Sequence, residues 1–360
     1  MEFLEEMEFV GEIPKGWKWV KLGDEIELLY GKGLTEKERK NGVYPVYGSS
    51  GIIGYHNGYL VKGPGIIVGR KGSVGEINLS KTDFYPIDTT YYLKLKNDND
   101  IFFFYYFLKT LRLNEINSHS AVPGLSREDV YSLYSPLPPL PEQKAIAEVL
   151  SSIDDKIDLL HRQNKTLEEM AMTIFRKWFI EDAKEDWGDG VFGDIVQPKK
   201  GKNITKKEVI EGPYPVVAGG IEPSCYHNLA NTSEPVVTIS ASGANAGYVR
   251  LYHTKVWASD SSYIDYSVTP YVYFSYIFLK TNQRAVFDKQ VGSVQPHVYP
   301  MQIMELNCMH YPEKLISKFE KWCTPMFTKI KSNQLQISIL EQIRDILLPK
   351  LMSGEVRVKV

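Results

Sequence analysis

Apolar residues recur at alternating steps of four and three through one long stretch: Ile146, Leu150, Ile153, Ile157, Leu160, Leu167, Ala171, Ile174 and Trp178, with Asn164 as the one polar member. This heptad seam predicts a helix from Pro141 to about Trp178. Pro141 suits the first helical position, and Glu142 suits the positive end of the helix dipole. At 1.5 Å per residue the helix is a rod of roughly 55 Å. A second seam runs through Met326, Ile330, Asn333, Ile337, Leu340, Leu347 and Leu351, again with one asparagine. Thr324-Pro325 has the form of an N-cap followed by a first helical residue. The expectation is therefore a short helix from Pro312 to Cys323, a break near Pro325, and then the long helix. Pro349 should kink or end it, Gly354 should cap it, and the alternating Val356, Val358 and Val360 suggest a terminal strand. Elsewhere the pattern is mostly strand, as at Gly65 to Val68, Glu234 to Ile239 and Tyr91 to Leu95. One helix is expected on each side of the first rod, Phe102 to Leu113 and Val272 to Thr281.

The pattern repeats with a period near 170 residues. Gly23-Asp24 recurs as Gly193-Asp194, and Gly31, Thr35 and Lys37 recur as Gly201, Thr205 and Lys207. Tyr44-Pro45-Val46 recurs as Tyr214-Pro215-Val216, and Tyr55-His56-Asn57 as Tyr226-His227-Asn228. Asp88-Thr89-Thr90-Tyr91 parallels Asp260-Ser261-Ser262-Tyr263 at an offset of 172. Phe107-Leu108-Lys109-Thr110 recurs as Phe278-Leu279-Lys280-Thr281, and Pro141-Glu142 as Pro312-Glu313. The chain is a duplicated unit, a globular α+β module followed by a helix, twice. The boundaries read as 1–140 for the first module, 141–182 for the first helix, 183–311 for the second module and 312–360 for the second helical region.

Composition narrows the chemistry. Lys and Arg total 42 against 44 acidic residues, so the chain is not coated in positive charge. Any nucleic-acid binding must concentrate charge locally. The N-terminus MEFLEEMEF lacks the order of a signal peptide, and no apolar run spans a membrane, so a cytoplasmic protein is expected. Cys225, Cys308 and Cys323 read as reduced thiols, and no metal site is expected. Phosphate-loop, nucleophile-elbow and HExxH motifs are absent. Glu142-Gln143-Lys144 resembles half of a nuclease motif, but its place at a helix start favours a capping role.

Basic and hydroxyl-bearing residues do recur beside glycines at matching places. In the first module these are Lys32, Lys37, Arg39, Arg70, Lys71 and Ser73, with His119 further on. In the second they are Lys200, Lys202, Lys206, Lys207, Ser242 and Asn245, with Gln295 further on. Lysine neutralises phosphate, glycine lets backbone N–H groups approach, and Arg, Ser and Asn can read base edges. These are the candidate DNA-binding residues. Residues kept in both copies look like scaffold; those that differ sit in the candidate reading loops, a pattern that fits two modules reading two different sequences and that ordinary drift in loops would also give.

Three motifs carry a resemblance. Ile13-Pro14-Lys15-Gly16-Trp17 with Leu22-Gly23-Asp24, Leu137-Pro138-Pro139-Leu140-Pro141-Glu142-Gln143, and Leu347-Leu348-Pro349-Lys350-Leu351-Met352-Ser353-Gly354-Glu355 resemble the specificity subunits of type I restriction-modification systems. The resemblance implies two target recognition domains separated by two long helices in an antiparallel coiled coil. The seam would be Ile146, Leu150, Ile153, Ile157, Leu160, Asn164 and Leu167 against Ile330, Asn333, Ile337, Leu340 and Leu347. It further implies a bipartite double-stranded DNA site and docking of two methyltransferase subunits, to which restriction subunits add. The chain would hold no catalytic centre or cofactor; S-adenosylmethionine, ATP and magnesium would bind its partners. Two alternatives are the recognition subunit of another restriction or methylation-only system, and a helical interaction scaffold that does not bind DNA. In the second module Trp187-Gly188-Asp189-Gly190 replaces the Pro-Gly-Trp opening.

Overall fold

The computed structural model describes residues 13–116, 124–292 and 295–359. Two compact units divide the chain. The first runs to Asp158 and takes the chain back from Ser338 onward; the second is Leu159–Ile337. Each long helix therefore begins in one unit and ends in the other.

In the first unit, Ile26–Tyr30, Thr90–Leu95, Gly65–Gly69 and Ile77–Ser80 form an antiparallel sheet in that spatial order. Gly65–Gly69 is buried throughout, as its uninterrupted apolar run requires. Phe103, Phe104 and Phe107 of the helix Ile101–Thr110 join Leu28, Ile66 and Val68 in one core. Asp100 caps this helix by accepting from the Phe103 N–H at 2.8 Å. A smaller sheet has Gly51–His56, Tyr44–Gly48 and Tyr85–Pro86 in that spatial order. Lys18–Lys21 pairs with Tyr134–Leu137 just before the first long helix.

The second unit repeats this topology. Lys199–Lys200, Ser261–Asp265, Val236–Ser240 and Val249–Tyr252 form the larger sheet, and Cys225–His227, Tyr214–Val217 and Trp257–Ala258 the smaller. Asp189–Val191 pairs with Asn307–Met309 as Lys18–Lys21 does with Tyr134–Leu137, so the divergent opening keeps the same strand. The repeated histidines serve the scaffold. His56 Nδ1 accepts from the Lys40 N–H and His227 Nδ1 from the Ile210 N–H, both at 3.0 Å.

The register corrects one sequence match. Gly69 pairs with Thr90 and Ser240 with Ser261, which makes Thr90 and Ser261 equivalent at an offset of 171. The offset of 172 followed the two aspartates. A one-residue slip exchanges the faces of a strand, so Tyr91 is matched by Ser262, and Tyr92 by Tyr263. Short helices at Arg127–Ser132, Gln283–Asp288 and Pro300–Met304 also exceed the one helix per module that was expected.

The first long helix is Leu140–Arg176, continued by a π-turn at Lys177–Glu181. Within the first unit Ile146 and Leu150 share a core with Leu347 and Leu351, and Asp154 bonds Arg344 at 2.9 Å. Within the second, Asn333 Nδ2 donates to Asn164 Oδ1 at 2.8 Å, and Phe175 meets Phe319 at 5.8 Å. In both units rising numbers on one helix meet falling numbers on the other, so the paired segments are antiparallel. Tyrosines on the module helices latch onto these segments: the Tyr106 hydroxyl donates to Asp154 at 2.6 Å and the Tyr276 hydroxyl to Glu168 at 2.5 Å.

The second long helix departs from expectation. It is a single helix, Glu313–Ser353, with no break at Pro325. Proline removes one N–H and crowds the carbonyl four residues back, but packing overrides this. Phe319, Cys323 and Phe327 are buried on the same helix. The Thr324 and Thr328 hydroxyls bond the carbonyls of Glu320 and Thr324 at 2.8 Å. Pro349 does not end the helix either. Gly354 does, at φ +74°, with the Val356 N–H closing onto the Lys350 carbonyl at 3.1 Å. Residues 354–359 form no strand; they fold back so that Arg357 grips Glu142 at 2.6 and 2.7 Å, beside the Trp17 indole that donates to the same carboxylate at 3.0 Å.

Candidate nucleic-acid interface

Each larger sheet ends at a cluster built around one residue, the one before a glycine that both copies keep. Gly31 and Gly201 have no room for a side chain. A Cβ would strike the carbonyls of Pro86 and Ile87 in the first unit, and of Ala258 and Ser259 in the second. The preceding residues, Tyr30 and Lys200, are thereby fixed at equivalent strand ends, opposite Tyr91 and Ser262.

In the first unit the Tyr30 ring is half exposed at 51%. Arg70 lies 5.2 Å and Arg127 4.8 Å from its centroid, a favourable placement of cations on an aromatic ring. Arg70 Nε and Nη2 also donate to the Asp88 carbonyl at 3.2 and 2.7 Å. Its backbone is pinned as well, its N–H to Thr89 at 2.9 Å and its carbonyl accepting from Leu125 at 3.0 Å. Tyr91, at the back of the cluster, has its phenol pushed up to about 12 by burial.

The second unit exchanges the partners. Lys200 Nζ sits 5.5 Å from the ring centroid of Tyr299, and Tyr299 stacks on His297 at 5.4 Å. The Arg70 position is taken by Ala241, whose N–H and carbonyl bond Asp260 and Val298 as those of Arg70 bond Thr89 and Leu125. The next residue, Ser242, donates its hydroxyl to the Asp260 carboxylate. Where the first cluster holds two guanidiniums, the second holds an amine, an imidazole and a carboxylate.

The candidate residues divide accordingly. Arg70, Lys71 and Ser73 share the turn after Gly65–Gly69; Lys200 lies in the second cluster, Ser242 forms a bridge with His297, and Gln295 is exposed two residues before that histidine. Lys32 and Lys202 are exposed just beyond the key positions, their N–H groups bonded to the Pro86 and Ala258 carbonyls. Lys37, Lys206 and Lys207 ride on matching turns, closed by Thr35 to Glu38 and Thr205 to Glu208. Arg39 serves the hairpin instead, donating to the Ile53 carbonyl at 2.8 Å. Asn245 is half-buried in the short helix Gly243–Asn245. His119 lies outside the described residues. Tyr30, Arg127, His297 and Tyr299 were not among the sequence candidates. The aligned glycines mark the first of these, since the residue before each one changes from aromatic to basic.

Comparison with known proteins agrees with this architecture. Residues 14–169 match the family model of the type I restriction modification DNA specificity domain. The MjaIX specificity subunit of Methanocaldococcus jannaschii is 25% identical, covering 100% of this chain and 99% of its own. The EcoprrI specificity subunit of Escherichia coli is 27% identical over 40% of this chain and 35% of its own. The type I S subunit of M. genitalium shares the fold, with a TM-score of 0.68, 21% identity and coverage of 95% of this chain and 97% of that one. Among the described residues no helix is long and apolar enough to cross a membrane. The first module and its helix thus match the type I specificity-domain model, while the whole chain aligns from end to end with one type I specificity subunit and shares the fold of another.

Proposed function

We propose that this chain is the non-catalytic DNA reader of a type I complex in the cytoplasm, each module reading one half of a bipartite site. One observation carries the reading. The two modules keep the same scaffold to the level of single hydrogen bonds, yet change the chemistry at the same strand end, Tyr30, Arg70 and Arg127 against Lys200, Ala241 and Tyr299. Drift alone would not put a cation on an aromatic ring in both places with the roles exchanged. Exposed lysines supply salt-sensitive phosphate contacts.

The long helices set the spacer and dock two methyltransferase subunits, to which restriction subunits add. Support for a docking face comes from Ile339, Ile343 and Ile346, exposed at helical spacing on the second long helix. S-adenosylmethionine, ATP and magnesium act in those partners. The test is co-expression with the methyltransferase subunit and mapping of methylated bases across the genome. A single bipartite motif with a fixed unread spacer is expected. Absence of sequence-specific methylation, together with no salt-dependent DNA binding by the purified complex, would overturn the reading.

A further inference from the structure

Arg70 and Arg127 present an electrostatic problem. Two guanidiniums approach one tyrosine ring, at 5.2 and 4.8 Å from its centroid, so the two like charges can be no farther apart than those distances together. Among the described residues the arginine ion pairs lie elsewhere, at Arg112, Arg250, Arg284, Arg344 and Arg357. Among the described residues the one hydrogen bond of the Arg127 side chain is a long one, of 3.5 Å, to the Leu28 carbonyl. The fold thus holds two half-buried cations on one ring with no ion-pair partner for either among the described residues, an arrangement that favours an electron-rich ligand.

The orientation of Arg70 narrows the ligand. Nε and Nη2 are spent on the Asp88 carbonyl. One N–H of Nη2 and both of Nη1 remain, and they form the outer edge of the guanidinium. An arginine stacked on a ring and tied at its inner edge keeps that outer edge fixed in direction. A phosphate contact needs charge and tolerates a mobile side chain; bidentate recognition of a planar acceptor pair needs a fixed edge. The planar acceptor pair in DNA is O6 and N7 of guanine, the commonest specific target of arginine in the major groove.

We propose that Arg70, held by Tyr30 and Asp88 and flanked by Arg127, reads a guanine in the half-site of the first module. The second module has Ala241 at the equivalent position and reads its half-site by other chemistry. This rests on the DNA-reading function proposed above.

Methylation mapping of genomic DNA from cells making this chain with its methyltransferase partner tests it. The unsubstituted chain is expected to fix a G·C pair in one half-site. Arg70→Lys keeps the charge but neither the planar guanidinium nor its paired donors. It is expected to relax that one pair, lowering discrimination by about 5–150-fold, with the other half-site unchanged as an internal control of folding. Arg127→Ala is expected to relax the same or the adjacent pair, and Arg127→Lys replaces it if the alanine variant yields no complex. Retention of the full motif by both arginine variants, with methylation lowered evenly at all sites, makes them phosphate contacts and overturns the proposal. Half-sites built of A·T pairs alone overturn it too. Failure of the unsubstituted chain to direct methylation at any motif sinks the underlying function as well, and is visible before a variant is made.

Discussion

Glu320 is a buried carboxyl on the second long helix that accepts from the Tyr273 and Phe274 N–H groups at 3.0 and 2.7 Å. It caps the helix Val272–Thr281, whose own N-cap residue, Tyr271, makes no side-chain cap. Burial pushes its pKa up to about 7, against the opposing pull of those backbone donors. Tyr266, Tyr273 and Cys323 face it, and each is itself raised. A carboxyl raised on folding binds its proton more tightly in the native state. Its contribution is full below the unfolded value near 4.5 and is lost as pH rises through about 7. Urea unfolding across that window should show wild-type stability falling relative to Glu320→Gln, with a difference in slope approaching about 1.4 kcal/mol per pH unit. Parallel pH profiles for the two proteins would exclude this role. The Tyr276–Glu168 latch is a second residue-scale dependence. Tyr276→Phe leaves a half-buried carboxylate unpaired and should cost about 1.5–3 kcal/mol in the same assay.

At the scale of elements, the helix Glu313–Ser353 keeps an exposed proline, Pro325, in its interior. Pro325→Ala restores the missing N–H and relieves the ring's pressure on the preceding turn. It should therefore raise stability by up to about 3 kcal/mol, read as a shift in thermal midpoint; a lower midpoint would mean that the proline is shaping the helix. This is where sequence reading failed. Thr324-Pro325 has the form of a helix start, and local form cannot reveal that Phe319, Cys323 and Phe327 are buried around it. The seams were legible because burial follows their spacing, from Ile146 and Leu150 to Asn333 and Ile337. So was the duplication, because the repeated glycines and histidines mark backbone contacts that both copies need. Part of the candidate site was legible too. Arg70 and Lys200 stood out as charge beside glycine. Arg127 and Tyr299 did not, since the turn that brings them to the strand end is a tertiary contact between distant parts of the chain. The aspartate match misaligned one strand because side-chain identity says nothing about ladder register.

For the whole molecule, the proposed function makes the long helices a ruler. Adding or removing seven residues in both, in register with the seams, should change the preferred spacer while leaving both half-sites as they were. Methylation mapping of such variants checks this, and altered half-sites with an unaltered spacer would refute it. One feature of the first unit also bears on how freely the gene can be rearranged. Arg357 bonds the Lys15 carbonyl at 3.2 Å as well as Glu142, and a side chain at Gly354 would run into Pro14. The first and last parts of the described chain are thus neighbours across the start of one helix, and the covalent order of the two modules carries little structural information. A circular permutant opened near Lys184, with Lys15 and Arg357 joined through a short linker, should fold and read the same motif. If so, the order in which the two modules are encoded is interchangeable, and recombination can trade one module for another without redesigning the helices that join them.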